Sequence, residues 1–311
     1  MQGMIIKTTG SWVSVLLDND EVVECRVKGK FRQSKMHDLN LTSPVAVGDR
    51  VECKLSDDGT GSIDKILERK NYIIRKSSHA RKQSLIGVNI DQCLLIVTLA
   101  SPRTSKGFVD RFLATAERYH VPVRIIFNKI DMYEEEDKEV HQEWVDLYSS
   151  IGYDCYSISA LEDDGLDQIK TLLKDKISLL SGHSGAGKST LINTLIPGLD
   201  LRTSEVTDYG KGVHTTTNSE AFELDFGGWV MDTPGIKEFG LVNIKVEELS
   251  SLFPEIHEAS QSCQFNNCWH YNEPENKCNV KQKLETGEIA LSRFESYIKL
   301  VEELKDLRDY L

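Results

Sequence analysis

The chain lacks any apolar run approaching the ~20 residues that a membrane-spanning helix requires, and it shows no internal repeat and no long low-complexity segment. These absences exclude a helical membrane span and a solenoid. No secretory signal opens the sequence, and its seven cysteines, an odd number, do not suit a disulfide framework. A cytoplasmic protein is expected, with no membrane contact. Positive charge is also short: 37 Lys and Arg face 49 Asp and Glu, a formal net charge of −12. Such a chain is repelled by nucleic acid except where cations are concentrated locally. What is present is enough for two domains, since 311 residues with 40% apolar composition can fill their cores.

The cations are concentrated at one end. Residues 1–82 carry 15 Lys and Arg against 11 Asp and Glu, a net of +4, and the remainder carries 22 against 38, a net of −16. Within the basic part, short alternating apolar runs such as Trp12 to Leu17, Val22 to Val27 and Val51 to Leu55 are separated by turn signals, Asp18-Asn19-Asp20 and Asp57-Asp58-Gly59. The spacing predicts a small all-β barrel of the oligonucleotide-binding (OB) type, five strands with one face free for RNA. Lys28, Lys30, Phe31 and Arg32 interleave phosphate-seeking cations with a base-stacking ring, and Arg81 and Lys82 belong to a basic stretch beginning at Arg75. A merely solvated charged face would have the same composition.

The informative chemistry lies in the acidic part. Gly182-His183-Ser184-Gly185-Ala186-Gly187-Lys188-Ser189, followed by Thr190, fits G-x-x-x-x-G-K-[ST] between a strand-like segment, Ile177 to Leu180, and a helical one, Thr190 to Leu195. Glycines let the backbone wrap phosphates, its N–H groups point at the anion, Lys188 reaches the β and γ phosphates, and the Ser189 hydroxyl suits Mg²⁺. Asn128-Lys129-Ile130-Asp131 ends the apolar run Val121 to Phe127, which places it at the carboxyl end of a buried strand. The Asp131 carboxylate can accept from the two N–H groups on guanine's Watson–Crick edge, a pair that adenine lacks. Ser159-Ala160-Leu161, after the strand Tyr156 to Ile158, resembles the loop that touches the guanine carbonyl through backbone N–H. Thr215-Thr216-Thr217 can offer a hydroxyl to Mg²⁺, with Thr216 preferred. Asp232-Thr233-Pro234-Gly235 can hold the metal through Asp232 and meet the γ-phosphate through the Gly235 N–H. Taken singly, each of these last segments also reads as an ordinary polar turn.

Their order is the telling feature. The base tetrapeptide stands 54 residues before the phosphate loop, the reverse of an ordinary GTPase. Cutting such a domain between its third and fourth motifs and joining the old ends, near Asp163 to Asp175, gives this order. A circularly permuted GTPase is therefore expected. A Gln that positions the attacking water usually follows Asp-x-x-Gly, but Ile236 stands there and can neither donate nor accept. Intrinsic hydrolysis should be slow, and His214, beside the threonines, is the candidate catalytic substitute, with an exposed loop histidine as the plainer alternative.

Cys263, Cys268, His270 and Cys278 place three thiolates and one imidazole within 16 residues, the ligand set of a closed structural zinc site. His257 competes with His270 for the fourth position, and His270 is nearer. The isolated Cys25, Cys53, Cys93 and Cys155 read as small buried hydrophobes. Beyond the cluster, Leu291, Phe294, Ile298 and Val301 recur at helical spacing and predict a helix packed on its own domain.

Permuted GTPase motifs between an N-terminal barrel and a Cys/His module resemble the bacterial ribosome-small-subunit-dependent GTPase A (RsgA) family. Val27 to Arg32, Asn89-Ile90-Asp91-Gln92, His214 to Thr217 and Arg293-Phe294-Glu295-Ser296-Tyr297 carry the likeness along essentially the whole chain. Val213 departs from the Arg usual there. The resemblance implies a factor in late maturation of the small ribosomal subunit whose weak GTP hydrolysis is stimulated by that subunit and drives release. It implies an OB-type barrel over 1–72, a basic linker over 73–90, an α/β permuted P-loop domain over 91–245 and a zinc-binding, mostly helical module over 246–311. Mg²⁺ with GTP, one structural zinc ion, GTP and GDP as ligands, and the subunit and its rRNA as partners of a monomer follow. A metabolic ATPase or kinase would share only the phosphate loop, and an RNA-binding protein that holds nucleotide without turnover would share every binding motif.

Overall fold

A computed structural model of the chain describes residues 1–29, 31, 41–76, 83–201, 219–232 and 244–309. Period-two alternation builds its first layer: β1 (Gln2–Thr9), β2 (Trp12–Leu17), β3 (Val22–Val27), β4 (Arg50–Leu55) and β5 (Gly61–Ile66). Val13, Val15 and Leu17, with Val51 and Cys53 opposite, alternate inward and are buried with Ile5, Cys25 and Ile63. The strands run β1-β2-β3-β5-β4, and β4 pairs back onto β1, so the sheet closes. Only β3 and β5 pair parallel. This is the five-stranded barrel that the alternation predicts.

Residues 73–90, expected to be a basic linker, instead contain paired strands, β6 (Tyr72–Lys76) and β7 (Gln83–Val88). Charge dominates the composition of that stretch, but Ile73, Ile74, Ile86 and Val88 are buried, and burying them is what the antiparallel pair accomplishes. Asn89-Ile90-Asp91-Gln92 then ties three parts together. Asn89 Nδ2 donates to the Gly48 carbonyl of the barrel, Asn71 and Ile90 exchange hydrogen bonds at 2.8 Å, and Asp91 accepts from the Ile177 N–H while pairing with Lys70. Gln92 reaches the Leu172 carbonyl and Ser178.

The central layer alternates strand and helix: β8 (Gln92–Val97), α1 (Lys106–Arg118), β9 (Val123–Asn128), α2 (Glu135–Ser150), β10 (Asp154–Ile158), α3 (Leu166–Leu173), β11 (Ile177–Gly182), α4 (Lys188–Leu195), β12 (Glu220–Glu223) and β13 (Trp229–Asp232). The strand order is β10-β9-β8-β11-β13-β12, parallel except for β12. β8 is buried along its whole length, as a strand covered on both faces must be. One cluster packs α1 and α2 on one face, around Phe112, Leu113, Trp144 and Tyr148; another packs α3 and α4 on the other, around Ile169, Leu173, Leu191 and Ile192. Each such side chain contributes roughly 1.5–3 kcal/mol by leaving water. Local signals set the helix starts: Ser105 accepts from the Phe108 N–H at α1, and Glu134 and Asp137 form a reciprocal box at α2.

The last part holds α5 (Pro254–Ser260), α6 (Asn279–Glu285) and α7 (Leu291–Asp309) around Leu249, Phe253, Ile256, Val280, Leu300 and Val301. The face of α7 differs from the expected stripe. Leu291 is 61% exposed, while Arg293, Tyr297, Leu300 and Leu304 are buried. The reason is that α7 packs on α1 of the central layer as well as on its own module. Buried Arg293 donates to Asp110 on α1 at 2.8 Å and to Glu255 at 2.7 Å, its guanidinium lies 4.5 Å from the Phe253 ring centroid, and Arg111 pairs with Glu303. Tyr148 also donates to Asp110. A buried Arg held this way disrupts an apolar periodicity and so hides the contact face from sequence.

Candidate nucleotide site and metal centre

The nucleotide motifs gather at one edge of the central sheet, at the carboxyl ends of its parallel strands, where open α/β sheets bind ligands. Asn128 ends β9, Ser159 follows β10, the phosphate loop links β11 to α4, and Asp232 ends β13 beside Leu180 of β11. Gly187 caps α4 at φ 96°, so the loop delivers the helix N-terminus to the site. Glycine is required at Gly182, φ 145°, where a Cβ would meet the Ile96 carbonyl oxygen at 2.3 Å. Lys188 is 8% exposed and donates to the Gly182 and His183 carbonyls, 2.8 Å each. Burial pushes its ammonium down to about 8, against the pull of Asp232. Ser189 and Thr190 occupy the first turn of α4.

Asn128 links the motifs. Its Nδ2 donates to the Ala186 carbonyl at 2.8 Å, and its Oδ1 accepts from the Ala160 N–H at 3.1 Å. One buried side chain thus joins the phosphate loop to Ser159-Ala160-Leu161. The tripeptide is closed by reciprocal backbone bonds between Ser159 and Asp164, leaving Leu161 78% exposed. Lys129 lies in the left-handed region at φ 65°, turning the chain sharply out of β9, and its ammonium donates to the Ser101 carbonyl at 2.6 Å. Ile130 and Asp131 begin a short 3₁₀ turn, Ile130–Met132, and Asp131 is exposed.

One neighbour escapes sequence reasoning. Phe108 of α1 packs on His183 with ring centroids 3.9 Å apart and planes tilted by 30°, so α1 touches the phosphate loop at one end and, through Asp110, holds Arg293 two residues later. Burial lowers the His183 pKa, with Lys188 adding to the effect. No local signal announces such a contact.

The second cluster assembles as its spacing predicts. The ligand atoms of Cys263, Cys268, His270 and Cys278 all lie within 4.8 Å of one another. His270 Nδ1 faces the sulfurs, 3.7 Å from Cys263 and 3.4 Å from Cys278. Burial holds its imidazole down at about 4, hence neutral at pH 7, as a metal ligand must be. His257 is exposed and outside the group. Around the ligands, Glu273 accepts from the Trp269 and Tyr271 N–H groups, and Tyr297 donates to the Trp269 carbonyl from α7. Three soft donors and one borderline nitrogen at these separations fit a tetrahedral metal ion.

On the barrel, Lys28 is bonded to Asp64 at 2.9 Å, and half-buried Phe31 leans on the barrel core. A different pair is presented: Arg26 lies over the Trp12 ring, 4.8 Å from its centroid, on facing positions of β2 and β3. The alternation that identifies the strands would have placed these two on one face had the register been known. Lys30, Arg32, Arg81, Lys82, His214, Thr215, Thr216, Thr217 and Gly235 lie outside the described residues.

Comparison with known proteins is decisive for ancestry. The family model for the RsgA N-terminal domain matches residues 2–63, and that for the RsgA GTPase matches residues 66–242. The chain belongs to the RsgA family of GTPases. It is 48% identical over 308 residues to a small ribosomal subunit biogenesis GTPase RsgA of Bacteroides fragilis, covering 98% of each, and 47% identical to one of Christiangramia forsetii, covering 98% and 97%. Its fold is similar to that of YjeQ from Thermotoga maritima, with a TM-score of 0.77 and 35% identity over 97% and 98% of the two chains. It is also similar to YloQ, a circularly permuted GTPase, with a TM-score of 0.73 and 33% identity over 98% and 95%. The inverted motif order is therefore a permutation of a GTP-hydrolysing domain. Among the described residues no helix is long and apolar enough to cross a membrane.

Proposed function

We propose that this protein binds the small ribosomal subunit in the cytoplasm as a monomer, assists late maturation of that subunit, and leaves it when subunit-stimulated hydrolysis of GTP has occurred. The single observation that carries the nucleotide part is Asn128, which joins the phosphate loop to the Ser-Ala-Leu loop, with exposed Asp131 three residues further on. The subunit part rests on the names borne by full-length relatives.

In this reading the phosphate-loop N–H groups and Lys188 cradle the phosphates, and Asp131 accepts from guanine while the Ser-Ala-Leu backbone meets its carbonyl. Ser189, Thr216 and Asp232 would hold Mg²⁺, which neutralises charge on the transferring phosphoryl group. The Gly235 N–H would donate to the γ-phosphate. Ile236 cannot aim water, so His214 does so when the subunit is bound, which makes the partner part of the active site's assembly. Cys263, Cys268, His270 and Cys278 hold one structural zinc ion, bracing the loop-rich segment between α5 and α6. The barrel, residues 1–72, contacts rRNA through Lys28, Lys30, Phe31 and Arg32, helped by Arg81 and Lys82 and by the Trp12–Arg26 pair. Residues 91–245 form the permuted domain and 246–311 the zinc module.

Phosphate release from GTP and ATP, measured alone and with added small or large subunits, tests this. Turnover selective for GTP and raised by small subunits alone is expected. Equal stimulation by large subunits, or none, overturns the assignment.

A further inference from the structure

The barrel and the GTPase sheet are one hydrogen-bonded sheet, and the strand that joins them is the one leaving the threonine segment. β12 begins at Glu220, three positions after Thr217. It pairs antiparallel with β13 on one side and β1 of the barrel on the other. Glu220 is the register partner of both Lys7 and Asp232. Lys7, Glu220 and Asp232 therefore form a row across three strands, on one face, because directly paired residues project to the same side. Lys7 Nζ bonds Glu220 at 2.9 Å, and the Thr8 N–H reaches the Ser219 carbonyl.

Lys7 thus pairs with the first of two carboxylates, Glu220 and Asp232, that are cross-strand partners, while Asp232 also lies near the Lys188 ammonium. The barrel supplies a cation to Glu220, the strand partner of the proposed metal-binding Asp232. A bulge between Ile5 and Lys7 shifts β1 relative to β2 just where β1 turns to meet β12. A second contact runs parallel to the first: at Gly48, φ 92°, a Cβ would lie 2.6 Å from Met231 Cε, the residue before Asp232, and 2.2 Å from the Val88 carbonyl oxygen. Only glycine lets the barrel approach the Val88 backbone of β7 so closely, with the tip of Met231 resting against it.

We propose that Lys7 and Glu220 are positioning residues that couple the barrel to the nucleotide site: the orientation of the barrel on its RNA sets the placement of β12, and through it that of Asp232. By linkage the coupling is reciprocal, so the nucleotide state must also be felt in β1. This rests on the small-subunit reading given above for its ribosomal readout, and on the sheet alone for its nucleotide readout.

The experiment compares Lys7→Met, Lys7→Glu, Glu220→Gln and the Lys7→Met/Glu220→Gln double variant with the unaltered full-length protein. Basal turnover, small-subunit affinity and turnover at saturating subunit are measured, with thermal unfolding reporting folding. Expected are basal rate and subunit affinity within about twofold of the original, and stimulated turnover reduced several-fold, most in Lys7→Glu, where three carboxylates would line up. The double variant should be no worse than the worse single one. Full stimulation in Lys7→Glu, a basal rate that falls in step with the stimulated rate, or additive losses in the double variant overturns the coupling. Hydrogen exchange of the segment 1–9 is compared in parallel between GDP-loaded and GTP-analogue-loaded protein without ribosomes. A difference that Lys7→Glu abolishes supports the coupling even if subunits fail to stimulate the original protein; identical exchange in the two states overturns it whatever the ribosome does.

Discussion

Asn128 and Gly187 pack so closely that a Cβ on the glycine would lie 2.2 Å from the asparagine Nδ2. Asn128 Nδ2 uses that space to reach the neighbouring Ala186 carbonyl across 58 positions of sequence. The glycine of the phosphate loop and the asparagine of the base tetrapeptide are thus parts of one fitted contact. Asn128→Ala leaves a buried carbonyl and N–H unpaired, a loss of about 1–3 kcal/mol for each. GTP affinity should fall at least tenfold, measured by equilibrium titration. Gly187→Ala should do similar damage by steric conflict.

Lys188 gives nucleotide binding a pH dependence. Its folded-state pKa of about 8 lies below the ordinary lysine value because burial disfavours the ammonium. A phosphate beside it favours the charged form, so binding is strongest below about pH 8 and weakens as pH rises through that value, by up to tenfold per unit. Titrations with GDP from pH 6.5 to pH 9 check this, and Lys188→Arg should flatten the profile.

Metal removal should act locally. The purified protein should hold about one equivalent of zinc, and Cys268→Ser should release it, loosening residues 246–311 with a smaller effect on GTP binding. Elemental analysis and limited proteolysis read the two effects separately. Metal-free protein with an intact module would remove the zinc assignment.

Arg293 is 1% exposed and lies between Asp110 and Glu255. Arg293→Ala strands the Asp110 carboxylate, whose pKa burial already raises against the pull of Arg293. A loss on the order of 3–5 kcal/mol is expected from denaturant unfolding, because an unpaired buried charge remains. Since α1 also carries Phe108 against His183, weaker nucleotide binding should accompany it.

His214→Ala should leave GTP and subunit affinities near normal while lowering subunit-stimulated turnover on the order of 10²-fold. Undiminished stimulation would assign water positioning to other groups and remove only the His214 role.

The sequence by itself determined the class of the site, because its chemistry is local. A phosphate loop needs its glycines, Lys188 and Ser189 within one turn of chain, and a thiolate cluster needs its ligands within a short loop. The permutation was equally legible, being an order of motifs. Strand alternation likewise announced the barrel. Tertiary structure decided what depends on contacts between distant segments. The strands of residues 72–88 hid behind their charge, the buried face of α7 hid behind Arg293, and Phe108 on His183 had no local sign at all. Which edge of the barrel meets the GTPase sheet depends on register, and register is a pairing between two strands. Lys7 and Glu220 lie 213 positions apart and become neighbours only when that pairing forms.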